Sequence, residues 1–174
     1  MQPLQGRALI DWVLDSVGGQ SAEVLLNANG EHGAYARFGQ RIIADETPDW
    51  PGPLAGLQSA LRHAHHDWVA CVPCDTPFLP DDLLARLFAA VSTDATEAAV
   101  AVADGKRQPT IALYHKNVLS SLNAYLASGG RKVRGWQDTL HLSEVVFDDA
   151  AAFININSLD DLKRVNQIAA EDPK

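Results

Sequence analysis

The sequence predicts a three-layer α/β fold built on a mainly parallel sheet. Two observations carry that expectation. Short apolar runs alternate along the chain with stretches of helical periodicity, and polar residues stand at the ends of several of those runs. At 174 residues the chain has the length of one domain with a substantial core, and residues 1–174 read as that single domain. No internal repeat, low-complexity tract or linker interrupts it.

The first element, Arg7 to Val17, places Leu9, Trp12, Val13 and Val17 on one helical face, and Gly18-Gly19 stops the helix. Glu23 to Asn27 reads as a buried strand and Arg41 to Asp45 as a second one. Leu54, Leu57, Leu61 and Ala64 mark an amphipathic helix introduced by Pro51-Gly-Pro-Leu-Ala-Gly56. An apolar strand then starts at Trp68 and stops at the carboxylate of Asp75, with Pro73 and Pro77 restricting the backbone on either side. Pro80 and an acidic first turn open a helix carrying Leu83, Leu84, Leu87, Phe88 and Val91. Ala99 to Ala103 and Thr110 to Tyr114 read as a hairpin joined through Asp104 to Pro109. Val118, Leu119, Leu122, Tyr125 and Leu126 give a further helix, closed by Gly129-Gly130. Two more strands are expected, at Ser143 to Phe147 and at Phe153 to Asn157. Ser158-Leu-Asp-Asp161 resembles a capping box with aspartate in place of glutamate and starts a last helix.

Bulk properties narrow the function. Hydrophobic content of 47% and charged content of 21% are ordinary for a soluble globular chain. A net charge of −8 argues against non-specific nucleic-acid binding and against an anionic membrane surface. No apolar run reaches the roughly 20 residues that span a bilayer. Met1-Gln-Pro-Leu-Gln5 lacks the basic and apolar regions of a secretory signal. With two cysteines and an acidic balance, the expectation is the reducing cytoplasm.

Four polar residues fall at strand ends: Asn27, Asp45, Asp75 and Asn157. In a parallel sheet they project from one edge, where α/β proteins bind ligands. Asp75, between its prolines, is a natural oxygen ligand for Mg²⁺, although each of the four is also a residue type that caps turns. Gly52 and Gly56 let a flat ligand approach the start of a helix, or simply belong to a proline-initiated helix. Basic residues gather at Lys106-Arg107 and at Arg131-Lys132 with Arg134, on loops that suit phosphates or plain solvent. Cys71 and Cys74 read as core residues rather than a redox pair, because Cys71 lies in a strand and the helix starts late. His63, His65 and His66 lack metal-ligand spacing and read as a solvated helix end. A nucleotide-binding α/β domain normally opens with a strand and a glycine-rich loop, whereas this chain opens almost directly in a helix.

Taken together, Asn27-Ala-Asn29, Asp45, Trp50-Pro-Gly-Pro-Leu-Ala-Gly56, Pro73-Cys-Asp-Thr-Pro77, Gln108-Pro-Thr-Ile-Ala-Leu113 and Phe153-Ile-Asn-Ile-Asn157 resemble molybdenum cofactor guanylyltransferase over essentially the whole chain. The resemblance implies a Rossmann-like nucleotidyltransferase fold and a reaction in which GTP and Mo-molybdopterin give the guanine dinucleotide cofactor and pyrophosphate. It implies GTP contacts at Asn27, Asp45, Asp75, Gly52 and Gly56, with catalysis and Mg²⁺ at Asp75 and Asn157 facing the metal. Arg107, Arg131 and Lys132 would serve the pterin or phosphate. Family members open with a strand and a Leu-Ala-Gly-Gly loop, and Gln2-Pro-Leu-Gln-Gly6 matches only the segment after that loop. By resemblance, then, the first strand and phosphate loop are absent, and an N-terminally truncated, impaired enzyme is expected. The further expectations are a cytoplasmic monomer that supplies molybdoenzymes or their chaperones. The competing readings are a non-catalytic nucleotide- or pterin-binding module and a cytidylyl-transferring relative.

Overall fold

The computed structural model describes residues 3–30, 32–46, 52–91, 95–156 and 161. Its centre is a four-stranded sheet ordered β5-β7-β6-β8, formed by β5 (Trp68–Cys71), β6 (Ala98–Ala103), β7 (Lys106–His115) and β8 (Leu142–Phe147). β6 and β8 are parallel, and β7 is antiparallel to both β5 and β6. Three of the four strands therefore share one direction, and β7 alone is reversed. Beside this sheet, β3 (Leu25–Asn27) and β4 (Arg41–Ile43) form a parallel pair. β1 (Pro3–Leu4) and β2 (Arg7–Ala8) form a small antiparallel hairpin.

Helices cover both faces of the four-stranded sheet. On one face, Val13 and Val17 of α1 (Leu9–Gly18) and Leu83 and Leu87 of α3 (Leu83–Ala89) pack with Ala99, Ala101, Ile111 and Leu113. On the other, α2 (Pro53–His63), α4 (Leu119–Ala127) and α5 (Val133–Gln137) bring Leu57, Leu61, Leu122, Leu126 and Trp136 against Ala98, Val100, Ala112 and Tyr114. The split follows the strand period of two, with successive residues pointing to opposite faces. All six residues of β6 are buried, since it is paired along both edges and covered on both faces. That explains its run of alanines and valines.

The structure corrects five expectations. The first two residues of the expected Arg7 helix belong to β2, and Asp11 reaches back to the Ala8 backbone N–H at 3.1 Å to cap α1. β3 is half-buried rather than buried, because among the described residues only β4 pairs with it. The hairpin turns at Asp104-Gly105 alone, where consecutive φ values of 51° and 64° match the twist of the flanking strands. Lys106 to Pro109 consequently belong to β7. Strand β5 ends at Cys71, which leaves Cys74 exposed in the following turn instead of in the core. Ala150–Phe153 forms a 3₁₀ turn in place of the start of a strand, because the Asp149 carboxylate captures the Ala151 N–H at 3.0 Å. The helix expected from Ser158 lies outside the described residues except for Asp161.

Candidate active site

Three contacts fix which way the strands point. Ahead of β3, the Glu23 carboxylate accepts the His65 backbone N–H at 2.9 Å. At the start of β4, Arg41 Nη1 donates to the His63 carbonyl at 3.0 Å. Both partners lie at the C-terminal end of α2, so β5 departs from the edge where β3 and β4 begin. At the other end, Gly56 in the first turn of α2 lies against the Asn27 side chain. β3, β4 and β5 therefore run toward a common edge and deliver Asn27, Asp45 and Asp75 to it.

Asn27 closes β3 opposite Ile43, and the ladder continues one step through Ala28 N–H to the Ile43 carbonyl at 2.9 Å. This step brings residue 29 alongside residue 45. Asn27 Nδ2 donates to Asp45 Oδ1 at 3.0 Å, Asn29 Nδ2 donates to Asp45 Oδ2 at 2.7 Å, and the Asp45 backbone N–H donates to Asn29 Oδ1 at 2.9 Å. Both oxygens of the carboxylate are thus held by amides. A Cβ on Gly56 would stand 2.6 Å from Asn27 Oδ1, so only glycine leaves Asn27 in place. Gly52, which caps the same helix, has φ +137°, a conformation that other residues rarely adopt.

Asp75 lies in the turn after β5, and the rest of the molecule braces that turn. Ser16 Oγ donates to the Leu79 carbonyl at 2.5 Å, Gln20 accepts the Leu84 N–H at 2.9 Å, and Trp12 meets Phe78 at 6.3 Å between ring centroids. From the C-terminal side, the Ile156 N–H donates to the Asp75 carbonyl at 2.8 Å. The Thr76 hydroxyl, wholly buried, donates to Asn155 Oδ1 at 2.6 Å. Asp75 Oδ1 is buried and has no hydrogen-bond partner. An orphaned carboxylate oxygen wants a donor or a cation. Among the described residues no group of three or more His, Cys, Asp and Glu could hold a metal. A lone carboxylate nevertheless fits Mg²⁺, which commonly takes one or two protein carboxylates and completes its shell with water and substrate phosphates. Asn157 lies outside the described residues.

The basic candidates are differently placed. Arg107 is bracketed by Glu144 and Asp138, each at 2.5 Å, and these carboxylates raise its pKa further. Arg131 donates to the carbonyls of Leu126 at 2.9 Å and Gly130 at 2.6 Å, closing α4. A phosphate approaching either would compete with these partners. Lys132 is exposed beyond the same turn. Burial pushes the Cys71 thiol up to about 11, and burial together with the Asp75 charge also raises Cys74. Neither has the lowered pKa of a reactive thiol. His63 and His65 face Glu46 and Glu23. The residue that sequence reasoning did not single out is Asn29. Its signal is the Asn-x-Asn spacing, which sets two amides on one face of an extended chain.

The profile of the family described as "MobA-like NTP transferase domain" matches residues 1–142. The molybdenum cofactor guanylyltransferase of Cupriavidus metallidurans is 44% identical over 167 residues, covering 93% of this chain and 82% of the relative. That of Burkholderia orbicola is 47% identical over 173 residues, covering 93% of this chain and 83% of the relative. Among solved structures, molybdopterin-guanine dinucleotide biosynthesis protein A from Archaeoglobus fulgidus superposes with a TM-score of 0.81 at 25% identity, covering 98% of this chain and 90% of that one. Among the described residues no helix is long and apolar enough to cross a membrane.

Proposed function

Because the chain belongs to the molybdenum cofactor guanylyltransferase family, a group of MobA-like nucleotidyltransferases, we propose that it transfers GMP from GTP to Mo-molybdopterin. A terminal phosphate oxygen of the pterin forms a bond to the α-phosphorus, the bond to the β-phosphate oxygen breaks, and pyrophosphate leaves. The observation that carries this reading is the common sheet edge. There an amide-held carboxylate at Asp45, just after β4 of the parallel pair, and an unpartnered buried oxygen at Asp75, in the turn after β5 of the four-stranded sheet, stand at the ends toward which these strands run.

Asp75 is the residue to hold Mg²⁺, with Asn157 its companion by resemblance. When bound, the ion offsets the repulsion between the two phosphate anions. Asn27 and Asp45 bind the nucleotide away from the phosphates, where a carboxylate meets hydroxyl or N–H donors. The first turn of α2 at Gly52 and Gly56 lies alongside. Lys132 faces the pterin phosphate, and Arg131 and Arg107 join it where the phosphate displaces the carbonyls of Leu126 and Gly130 or the carboxylates of Glu144 and Asp138. No protein nucleophile takes part. The same reading makes the chain a cytoplasmic monomer that passes its product to molybdoenzymes or their chaperones.

Competition binding with Mg²⁺ present tests the nucleotide assignment. GTP should displace a labelled guanine nucleotide far better than CTP does. A preference for CTP would move the chain to a cytidylyl-transferring role. GTP binding without turnover on Mo-molybdopterin would make it a binding module.

A further inference from the structure

We propose that Asn29 is a positioning residue for nucleotide binding, acting through Asp45; the inference rests on the nucleotide reading of this edge. Asn29 uses both ends of its amide on one residue. Its Nδ2 donates to Asp45 Oδ2 at 2.7 Å, and its Oδ1 accepts the Asp45 backbone N–H at 2.9 Å. The amide orientation is fixed by its partners, since a backbone N–H needs an acceptor and a carboxylate needs a donor. With Asn27 on the other oxygen at 3.0 Å, two hydrogen bonds set the carboxylate plane of Asp45, and a third ties its backbone to Asn29.

Stability does not call for this network. Asn27 and Asn29 are exposed and Asp45 is only half-buried, so water would satisfy all three side chains without it. Exposed polar pairs of this kind add little to stability. What the network does supply is orientation. A nucleotide carries its own negative charge, so a carboxylate beside it attracts only if its oxygens face hydroxyl or N–H donors. Turned toward the phosphates, it repels. Asn29 removes that rotational choice before the ligand arrives, which raises affinity by preorganisation.

A double-mutant cycle on GTP affinity, measured by calorimetry with Mg²⁺, tests this. Asn29→Ala should weaken binding by about tenfold, the loss of one hydrogen bond to a charged group. In an Asp45→Ala background the same change should alter affinity by less than about twofold, because its only route is gone. Asn29→Asp keeps the acceptor for the Asp45 N–H but sets two carboxylates face to face. Its affinity should recover as the pH is lowered and the pair takes up a shared proton, a pH response that a merely structural role does not give. Wild-type affinity in Asn29→Ala, beside a clear loss in Asp45→Ala, overturns the inference alone. Equal losses in both backgrounds also overturn it. Wild-type GTP affinity in Asp45→Ala and Asp75→Asn together overturns the nucleotide reading, and this inference with it.

Discussion

Gly56 and Asn27 show how a single missing side chain shapes the edge. A methyl at Gly56 would collide with Asn27 Oδ1, the free end of a side chain rather than backbone. The fold can therefore yield cheaply, but only by breaking the Asn27 bond to Asp45. Gly56→Ala should melt within a few degrees of wild type and bind GTP about tenfold more weakly, as calorimetry beside a thermal melt will show. The cysteines make a second case at this scale. Cys71 is a β5 residue packed beneath α2, with its thiol raised to about 11, whereas Cys74 is exposed. Iodoacetamide at neutral pH should modify Cys74 slowly and Cys71 only after denaturation, as peptide mass mapping will reveal. An intramolecular disulfide in the purified protein contradicts that assignment.

Elements are tied to one another at two places that can be broken singly. The first joins the Asp75 turn to the segment after Phe153. Asn155→Ala would strand the buried Thr76 hydroxyl and should cost about 1–3 kcal/mol in denaturant unfolding. Adding Thr76→Val should recover part of that loss, because no buried polar group is then left unpaired. The second tie joins β3 to the end of α2. The His65 backbone N–H is the main cause holding the Glu23 carboxyl below its ordinary value of 4.5, with partial burial opposing it and the charges of His65 and Arg41 adding to it. A depressed carboxylate stabilises the fold at pH above its unfolded pKa and loses that contribution as the pH falls through the folded value. Wild type should therefore exceed Glu23→Gln by less than about 1 kcal/mol at pH 7, and the gap should close below pH 4.5. A gap that widens on acidification would reverse the sign and refute the linkage.

At the scale of the whole molecule, the three layers were legible because burial writes a period into the chain. Leu54, Leu57 and Leu61 repeat at helical spacing, and Ala98 to Ala103 is apolar throughout because it is enclosed on every side. The segment from Phe153 to Asn157 misled for a physical reason. Phe153, Ile154 and Ile156 read as strand residues, yet Asp149 turns the chain just before them. Phe153 and Ile156 instead reach two separate parts of the core. That Asn27 and Asp45 meet, and that β5 carries Asp75 toward the same end, was legible because strand direction fixes it, whereas Asn157, expected beside them, lies outside the described residues. The Asn29 clamp was only half legible: the Asn-x-Asn spacing sets both amides on one face, but their meeting with Asp45 needs the extra ladder step from Ala28 to Ile43. One assay shows whether this edge carries guanylyl transfer. The protein is incubated with Mg²⁺, Mo-molybdopterin and GTP labelled at the α-phosphate, in parallel with a normally folded Asp75→Asn variant. Label should enter the pterin dinucleotide with wild type, at the reduced rate of an impaired enzyme, and the variant should be slower still by on the order of 10²-fold or more. No labelled dinucleotide from wild type, or equal rates from the two proteins at saturating Mg²⁺ and GTP, would contradict the account.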